Sequence, residues 1–324
     1  MKTVYLVLPC YNEELVIHDS VGKLKELMNS LIKKSIITIT SKVIFVNDGS
    51  TDKTWELLEQ ICENDELFGA ISLAHNSGHQ NALIAGMLTV KNKCDAVITL
   101  DADLQHDISI IPEFIRLYEE GNDIVYGIRK NRNGEGLFKR FSGNAFYDVM
   151  RLSGAKVIKN HADYRLMSAK VLMALEEYEE VNLFLRGIIP MIGLKHTVLE
   201  YEEKPRLAGK SKYSLRKMMK LALDGITSFS VRPLQLISWS GVILFLVSIV
   251  MFVYAVITFV HNGTVPGWAS TVAPIWLLGG IQLLSLGIVG EYIGKIYMET
   301  KHRPRYFIEK SILPTTGDNG DEKE

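Results

Sequence analysis

Short apolar runs alternate with longer helix-like stretches along the first 130 residues of this 324-residue chain. The apolar runs are Val4–Leu8, Val43–Val46, Ala70–Leu73, Ala96–Leu100 and Asp123–Tyr126. The helix-like stretches between them are Glu13–Lys33, Asp52–Glu63, Gln80–Lys91 and Ser109–Glu120. This alternation has the spacing of βαβ units. Because nearly continuous apolar strands are typical of parallel sheets covered on both faces, the pattern predicts an α/β, Rossmann-like domain with a mostly parallel sheet.

Polar and glycine-containing turns follow all five predicted strands. They are Pro9-Cys10-Tyr11-Asn12-Glu13, Asn47-Asp48-Gly49-Ser50-Thr51-Asp52, His75-Asn76-Ser77-Gly78-His79, Asp101-Ala102-Asp103-Leu104-Gln105-His106 and Gly127-Ile128-Arg129. Ligands of such sheets bind beyond the carboxyl ends of the strands. Five consecutive turns of this kind therefore predict a binding site at that edge of the sheet.

The turn after the fourth strand, Asp101-Ala102-Asp103, carries two carboxylates two residues apart. Both can reach one hard cation, which prefers oxygen ligands, and Gln105 is placed to add a carbonyl oxygen. Such a cation would bridge a diphosphate and neutralise the charge that develops as it leaves. A bare Asp-x-Asp is more often a solvated turn. The position of this one beside four other polar strand ends favours a metal site.

The turn after the second strand places Asp48 where its carboxylate can accept hydrogen bonds from a nucleobase or a ribose. Ser50 or Thr51 in the same turn is expected to cap the helix that follows. Asn12 and Glu13 come after the first strand and face the same crevice. For Glu13, a role as an acid in the first turn of a helix is as plausible as contact with a ligand.

Composition excludes several classes of protein. A hydrophobic content of 47% argues against general disorder, and a net charge of −1 argues against a nucleic-acid-binding surface. The three cysteines, Cys10, Cys62 and Cys94, lack metal-ligand spacing and fit a reducing, cytosolic compartment. The N terminus lacks the long apolar stretch of a signal peptide, so its first apolar run is interpreted as a strand.

Two long apolar segments lie towards the C terminus. Leu234–Val260 spans 27 residues and Val265–Gly290 spans 26, both without a formal charge, whereas a membrane helix needs about 20 such residues. The connector between them contains no Lys or Arg, while basic residues precede the first segment and follow the second. The distribution of positive charge therefore predicts two transmembrane helices with both chain ends in the cytoplasm.

A basic run precedes the first apolar segment and is interleaved with apolar residues. Its charged residues are Lys204, Arg206, Lys210, Lys212, Arg216, Lys217 and Lys220. In isolation this run could be a solvated surface helix, but its position favours an amphipathic helix at a membrane interface. The polar tail from Thr315 to Glu324 is expected to be disordered.

The turns after the first four strands, taken together, resemble those of family 2 glycosyltransferases of the GT-A fold. The Leu104-Gln105-His106 extension of the acidic turn and the two apolar segments resemble, more narrowly, the polyprenyl-phosphate glycosyltransferases. That group contains dolichol-phosphate mannose synthase and the bacterial bactoprenol glucosyltransferases. The resemblance reaches to about residue 308. It implies a cytoplasmic GT-A domain over 1–205, basic interfacial helices over 206–232, two transmembrane helices over 233–296 and a cytoplasmic tail over 297–324.

The resemblance also implies roles for individual residues, with Asp103 and Arg129 in catalytic roles. Mg²⁺ or Mn²⁺ would be held against the donor diphosphate by Asp101, Asp103 and Gln105. The nucleotide pocket would be lined by Pro9, Tyr11, Asn12, Glu13, Asp48, Ser50, Asn76, Gly78, Asp101 and Ala102. The acceptor phosphate would meet basic and hydroxyl side chains among Arg129, Lys139, Arg140, Ser142, Arg186, Lys210 and Lys212, with the choice between Lys139 and Arg140 open. Judged by residue type alone, Arg129 could also be a surface ion-pair residue.

The implied reaction is transfer of one sugar from a nucleotide-diphosphate sugar to undecaprenyl phosphate at the cytoplasmic leaflet of the cell membrane. UDP-glucose and UDP-N-acetylglucosamine are the donors expected first, and GDP-mannose is an alternative donor. Because a phosphate monoester already carries between one and two negative charges, we expect an in-line displacement with inversion and no essential general base.

Two alternatives stay open at this point. One is a glycosyltransferase that acts on a hydroxyl lipid acceptor or a growing polysaccharide, and the other is a non-catalytic membrane scaffold. Against polymerisation, the segment ending in Arg186-Gly187 lacks the tryptophan of the Gln-x-x-Arg-Trp motif of processive synthases. Small residues in the second apolar segment predict a homo-oligomer. They are Gly279, Gly280, Gly287, Gly290 and Gly294.

Overall fold

The computed structural model describes residues 1–130, 161–180, 184–202, 232–262 and 268–314. The strands in these ranges are β1 (Val4–Cys10), β2 (Lys42–Asn47), β3 (Phe68–Leu73), β4 (Ala96–Thr99), β5 (Ile124–Arg129), β6 (His161–Ser168), β7 (His196–Tyr201) and β8 (Ile308–Ile312). The helices are α1 (Ile17–Lys33), α2 (Thr54–Asn64), α3 (His79–Val90), α4 (Ile111–Glu119), α5 (Ala169–Glu176), α6 (Leu185–Met191), α7 (Arg232–Asn262) and α8 (Trp268–Thr300). A single 3-10 turn, Ile108–Ile110, precedes α4.

One sheet contains all eight of these strands, in the order β7-β5-β6-β4-β1-β2-β3-β8. The four strands β4, β1, β2 and β3 are parallel, which confirms the predicted parallel arrangement over the first hundred residues. β6 is antiparallel to both β4 and β5, and β8 is antiparallel to β3. The sheet is therefore mixed, and the α/β, Rossmann-like prediction holds for its centre.

The two faces of the sheet are covered by different helices, because successive side chains of a strand point to opposite faces. Leu6 and Leu8 of β1 belong to the core that buries the apolar side of α1. On the other face α3 approaches β1 and β2 closely at Gly86. A Cβ atom at Gly86 would lie 2.5 Å from Val7 Cγ1 and 2.6 Å from Val46 Cγ2. Glycine therefore allows α3 to lie directly on the strands whose ends carry the predicted site.

The strand β8 lies in the predicted C-terminal tail, and the sequence analysis did not identify it. It closes the edge of the sheet by pairing with β3. Lys310 on β8 forms an ion pair with Glu59, at 3.1 Å, and lies over the ring of Trp55. The described residues from Pro304 to Pro314 belong to the same compact unit as β1 to β7.

The second compact unit comprises residues 148–155 and 214–303, of which the structure describes α7 and α8. These two helices have 31 and 33 residues and expose many large apolar side chains, including Trp239, Val250 and Leu283. They lie where the sequence predicts transmembrane helices over 234–260 and 265–290. Nowhere in the described ranges does a helix combine the length and the apolarity that a membrane crossing requires, so the two crossings are not confirmed. The predicted interfacial helices over 206–232 lie outside the described residues except for Arg232, the first residue of α7.

Candidate functional site

The predicted turns meet at one edge of the sheet, because β4, β1, β2 and β3 are parallel neighbours. β6 runs antiparallel to β4, so β6 begins at the edge where β4 ends. β5 and β7 both end at this edge as well, with Arg129 and Tyr201 opposite each other in register. The sheet topology therefore adds residues of β5, β6 and β7 to the turns that the sequence identified.

The turns after β1 and β2 are tied together by side chains that the sequence assigned to the nucleotide pocket. Asn12 has a left-handed backbone with a φ of 54°. Its amide donates to Ser50 Oγ at 3.0 Å, and its side-chain oxygen accepts from the Thr51 amide at 2.8 Å. The structure thus gives Asn12 and Ser50 a definite role in shaping the turn.

Asp48 is buried, with 3% of its surface exposed, and holds the turn after β3. Its two carboxylate oxygens accept from the amides of Ser77 at 2.7 Å and Gly78 at 3.0 Å. Burial raises the pKa of Asp48, and these two hydrogen bonds oppose that effect only in part. Beside it, Gly49 has a φ of 63°, and a Cβ there would lie 2.5 Å from the backbone of Asn76. The turns after β2 and β3 therefore form one packed loop pair.

The starts of α1 and α2 differ from the predictions for them. α1 begins at Ile17, so Glu13 precedes the helix and is not an acid of its first turn. The Glu13 amide donates to Thr54 Oγ1 at 2.9 Å, which links the start of α1 to that of α2. α2 begins at Thr54, whose amide donates to Asp52 Oδ1 at 3.0 Å. The N-cap residue of α2 is Lys53, so neither Ser50 nor Thr51 caps the helix as predicted, and the carboxylate that accepts from its first amide is that of Asp52.

The acidic turn is anchored through its middle residue. Ala102 is buried, and its carbonyl oxygen accepts a 2.6 Å hydrogen bond from the hydroxyl of Ser20 on α1. Leu104 closes the turn with a left-handed φ of 47° and an amide that donates to the carbonyl of Asp101. Because Ala102 is held inward, the carboxylates on either side of it stay partly exposed. Ala102, predicted in the nucleotide pocket, thus serves as the anchor of the turn.

Asp101 and Asp103 supply carboxylate oxygens to the same turn, and Gln105 supports the second of them. The Gln105 side-chain nitrogen lies 2.9 Å from Asp103 Oδ2. Within the described part of the chain, no three His, Cys, Asp or Glu side chains are grouped so that they could hold a metal ion. Mg²⁺ commonly uses only one or two carboxylates and completes its shell with water and substrate phosphates. The residues present therefore fit a cation that a bound diphosphate also ligates.

A group of charged residues beside the acidic turn was not predicted as a unit. At its centre is Asp163 on β6, which accepts from Arg186 Nη2 at 2.9 Å and also pairs with Arg165. His79, the first residue of α3, places Nε2 at 3.6 Å from Asp163 Oδ2 and 3.8 Å from Asp101 Oδ1. The ion pair with Asp163 thus holds the predicted acceptor residue Arg186 beside the acidic turn.

Opposing effects set the pKa values of this group. Burial alone would raise the pKa of Asp163, but Arg186, His79 and Arg165 outweigh it and hold that pKa well below its ordinary value. Burial alone would lower the pKa of His79, and Asp163 with Asp101 raises it instead. The sequence signal was the presence of Asp163 and Arg165 in an otherwise strand-like segment. Only the antiparallel pairing of β6 with β4 shows where these charges lie.

Arg129 lies at the end of β5, at the predicted edge. Its Nε donates to the hydroxyl of Tyr201 at 3.4 Å. Tyr201 and His106 are both buried, and their ring centroids lie 5.6 Å apart. His106 Nδ1 lies 3.8 Å from Asp101 Oδ2. The structure thus connects the predicted acceptor arginine to the acidic turn through two buried aromatic residues, His106 of the turn itself and Tyr201, which no sequence pattern indicated.

The other predicted site residues fall into two groups. Pro9 is buried within β1, Tyr11 and Asn76 are exposed, and Gly78 precedes α3 with a φ of 93°. The remaining predicted acceptor residues lie outside the described ranges. They are Lys139, Arg140, Ser142, Lys210 and Lys212.

Comparison with known proteins gives matches in both units of the chain. Residues 5–175 match the family model described as Glycosyl transferase family 2, and residues 232–296 match one described as GtrB C-terminal hairpin. The uncharacterized glycosyltransferase YkoT of Bacillus subtilis (strain 168) is 47% identical over 94% of this chain and 90% of its own length. The SfII prophage-derived bactoprenol glucosyl transferase of Shigella flexneri is 36% identical over 95% of this chain and 98% of its own length. Among solved structures, a mannosyltransferase from Pyrobaculum calidifontis in complex with GDP-Man and Mn²⁺ aligns over 94% of this chain at 14% identity, with a TM-score of 0.46.

Proposed function

The chain belongs to glycosyl transferase family 2, and from this membership we propose that it transfers a single sugar from a nucleotide-diphosphate sugar to a polyprenyl phosphate. The observation that carries the proposal is an acidic turn, Asp101-Ala102-Asp103, at the same sheet edge as Arg129. A relative named as a bactoprenol glucosyl transferase matches over 95% of the chain, which supports a polyprenyl acceptor and UDP-glucose as the first donor to test.

On the donor side, Asp101 and Asp103 would hold Mg²⁺ or Mn²⁺, with Gln105 supporting Asp103. When bound, the cation would neutralise the charge that develops on the departing nucleotide diphosphate. Asp48 holds the turn after β3 against the turn after β2 and so shapes the space for the nucleotide. The chain's own contribution is therefore to place the donor diphosphate at the acidic turn.

On the acceptor side, a phosphate needs positioning rather than deprotonation, because it is already ionised. Arg129 and Arg186 are the described arginines at this edge whose guanidinium groups can orient it. Asp163 is surrounded by cations that hold its pKa well below the ordinary value, so it is a weak proton acceptor. We therefore propose an in-line displacement with inversion in which the two arginines orient the acceptor phosphate and Asp163 does not act as a general base.

The alternatives from the sequence are less well supported. A hydroxyl acceptor requires a base near the pocket, and the low pKa of Asp163 disfavours that carboxylate for the role. Membership of the glycosyltransferase family and the intact acidic turn disfavour a non-catalytic scaffold.

We further propose that the C-terminal hairpin, α7 and α8, holds the protein at the cell membrane with the GT-A unit in the cytoplasm. The support is its match to the GtrB hairpin model and the large apolar side chains that both helices expose. Gly280, Gly287 and Gly290 of α8 have open space where a Cβ would lie, which supports close approach of a second copy. A monomeric mass in mild detergent would contradict the oligomer.

The activity can be tested with the full chain purified in detergent. Undecaprenyl phosphate, Mg²⁺ and a panel of UDP-glucose, UDP-N-acetylglucosamine and GDP-mannose should give a lipid-linked monosaccharide from one donor. Asp103→Asn should lower the rate by at least about a hundredfold, and a chelator should abolish it. The matched control is Asp19→Asn, which changes an exposed acid on α1. Transfer to diacylglycerol instead of undecaprenyl phosphate, or no transfer from any donor, would contradict the proposal.

A further inference from the structure

Three buried aromatic residues form a cluster behind the acidic turn, and we name His106, Tyr164 and Tyr201 the aromatic cluster. The ring centroid of His106 lies 4.9 Å from that of Tyr164 and 5.6 Å from that of Tyr201. Tyr164 and Tyr201 meet edge to face at 5.4 Å. Their relative exposures are 2%, 0% and 3% for His106, Tyr164 and Tyr201. Close packing of this kind leaves each ring few alternative orientations.

The polar groups of the two tyrosines point to different partners. The Tyr201 hydroxyl accepts from Arg129 Nε at 3.4 Å. The Tyr164 hydroxyl donates to the carbonyl oxygen of Asp107 at 3.1 Å. Burial raises the pKa of Tyr164 well above its ordinary value, so this hydroxyl stays protonated and available as a donor. One hydroxyl of the cluster therefore contacts the arginine, and the other contacts the backbone of Asp107.

Backbone pairing also fixes the position of Tyr201 relative to Arg129. The two residues are opposite each other in the parallel pair of β5 and β7. The amide of Lys130, the next residue after Arg129, donates to the Tyr201 carbonyl at 2.9 Å. The hydroxyl of Tyr201 is thus a hydrogen-bond acceptor held in a fixed position beside the Arg129 side chain.

We propose that Tyr201 is a positioning residue for the acceptor phosphate, which acts by holding the guanidinium group of Arg129. The inference rests on the proposed function, in which Arg129 meets that phosphate. An arginine side chain has many rotamers, and a partner at Nε restricts that freedom before the acceptor binds. With Nε bonded to the tyrosine, a two-point contact with a phosphate would use the Nη atoms. A phosphate presented in one orientation gives the alignment that an in-line displacement requires.

The test compares Tyr201→Phe with Tyr164→Phe, each of which removes one hydroxyl from the aromatic cluster and keeps the ring. Steady-state kinetics with UDP-glucose and undecaprenyl phosphate give kcat/KM for each substrate. We expect Tyr201→Phe to lower kcat/KM for the acceptor about tenfold relative to Tyr164→Phe, the size of a hydrogen bond to a charged group. Binding of UDP-glucose, measured by calorimetry, should be the same in both variants. Equal acceptor kinetics in the two variants would overturn the inference.

A double-mutant cycle with Arg129→Lys separates this inference from the proposed function. Lysine has no Nε–H group, so Tyr201→Phe should have little further effect in that background. If Arg129→Lys leaves the acceptor kinetics unchanged, the proposed function of Arg129 fails. If Arg129→Lys lowers kcat/KM for the acceptor and the effect of Tyr201→Phe is simply additive to it, only the role of Tyr201 is overturned.

Discussion

At the scale of single residues, two buried carboxylates at the same sheet edge have opposite electrostatic surroundings. Asp48 is bonded to backbone amides, and burial raises its pKa. Asp163 is also buried, yet three cationic side chains lower its pKa. Burial dominates when the partners are neutral, whereas nearby charges dominate when two arginines are in contact. Asp48 therefore holds the turn after β3 in place. Asp163 instead holds together the side chains of Arg165, Arg186 and His79.

Asp163→Asn should strongly destabilise the GT-A unit. Removing one partner of a buried ion pair leaves uncompensated charge, which typically costs about 3–5 kcal/mol of unfolding free energy. Here Arg165, with 1% of its side chain exposed, would lose its partner. Denaturant unfolding of the full chain measures the change. Glu113→Gln, which breaks the exposed pair with Arg116, is the matched control and should leave stability unchanged.

The stabilising effect of Asp163 should depend on pH in a defined direction. Its pKa in the folded chain is lower than in the unfolded chain, because Arg186, His79 and Arg165 outweigh the effect of burial. The stabilisation is therefore complete above the ordinary aspartate pKa of about 3.9 and is lost as the pH falls towards the folded value. The difference in unfolding free energy between the chain and Asp163→Asn should shrink below about pH 4. A difference that grows with acidification would contradict this assignment.

The pH dependence of the reaction rate should follow the ionisation of the acceptor phosphate rather than that of a general base. A phosphate monoester has a second pKa of about 6. We expect kcat/KM for undecaprenyl phosphate to rise through a single ionisation near that pH and then to stay level, since Asp163 is ionised throughout the range. The measurement is a pH–rate profile at saturating donor. A solvent isotope effect well above unity on the chemical step would indicate a proton transfer and thus a base.

At the scale of elements, β8 depends on the absence of a side chain at one position of β3. A Cβ on Gly69 would lie 2.6 Å from Pro314 Cδ, 2.8 Å from Ile44 Cδ1 and 3.0 Å from the carbonyl oxygen of Ile312. Glycine within a strand often marks such a close approach. The C-terminal strand therefore returns to the GT-A unit at a place that only glycine permits.

Gly69→Ala should loosen β8 and lower the melting temperature of the GT-A unit. Limited proteolysis should then cleave the chain between α8 and β8 faster than in the unchanged protein. Gly22→Ala on α1 is the matched control, since a Cβ there meets nothing within 4 Å. The control should be neutral or stabilising by about 0.5–1 kcal/mol, because alanine favours the helix. Equal proteolysis of both variants would show that β8 tolerates the methyl group.

At the scale of the whole molecule, the chain combines a GT-A unit with a helical unit inserted before its last strand. The acceptor proposed here is a lipid, so an enzyme acting on it must work at a membrane surface. The exposed apolar residues of α7 and α8 fit that requirement chemically, since contiguous exposed apolar surface marks interaction sites.

The full chain should sediment with cell membranes and be released by detergent but not by high salt. The double variant Val250→Glu with Leu283→Glu places charge on the exposed faces of α7 and α8 and should shift the protein towards the soluble fraction. The control variant, Leu15→Glu with Ile39→Glu, changes equally exposed apolar residues of the GT-A unit and should stay with the membranes. Recovery of the unchanged chain in the soluble fraction without detergent would contradict membrane attachment.

The parallel centre of the sheet and the acidic turn could be predicted from the sequence, because periodicity and turn chemistry depend on neighbouring residues. The strand ends at Asp48 and Asp101 could be placed at one edge as soon as the strands were predicted to be parallel. Local pattern also led to errors, since the start of α1 was placed at Glu13 although the helix begins at Ile17.

The distant residues that complete the site could be identified only from the folded chain. Tyr201 reaches Arg129 across 72 residues of sequence, and Asp163 meets His79 because β6 inserts antiparallel beside β4. The order of strands in a sheet depends on how helices and strands pack over the whole domain, and no local pattern encodes it. The acidic turn could therefore be predicted from the sequence, whereas the positions of the charged and aromatic residues behind it are known only from the structure.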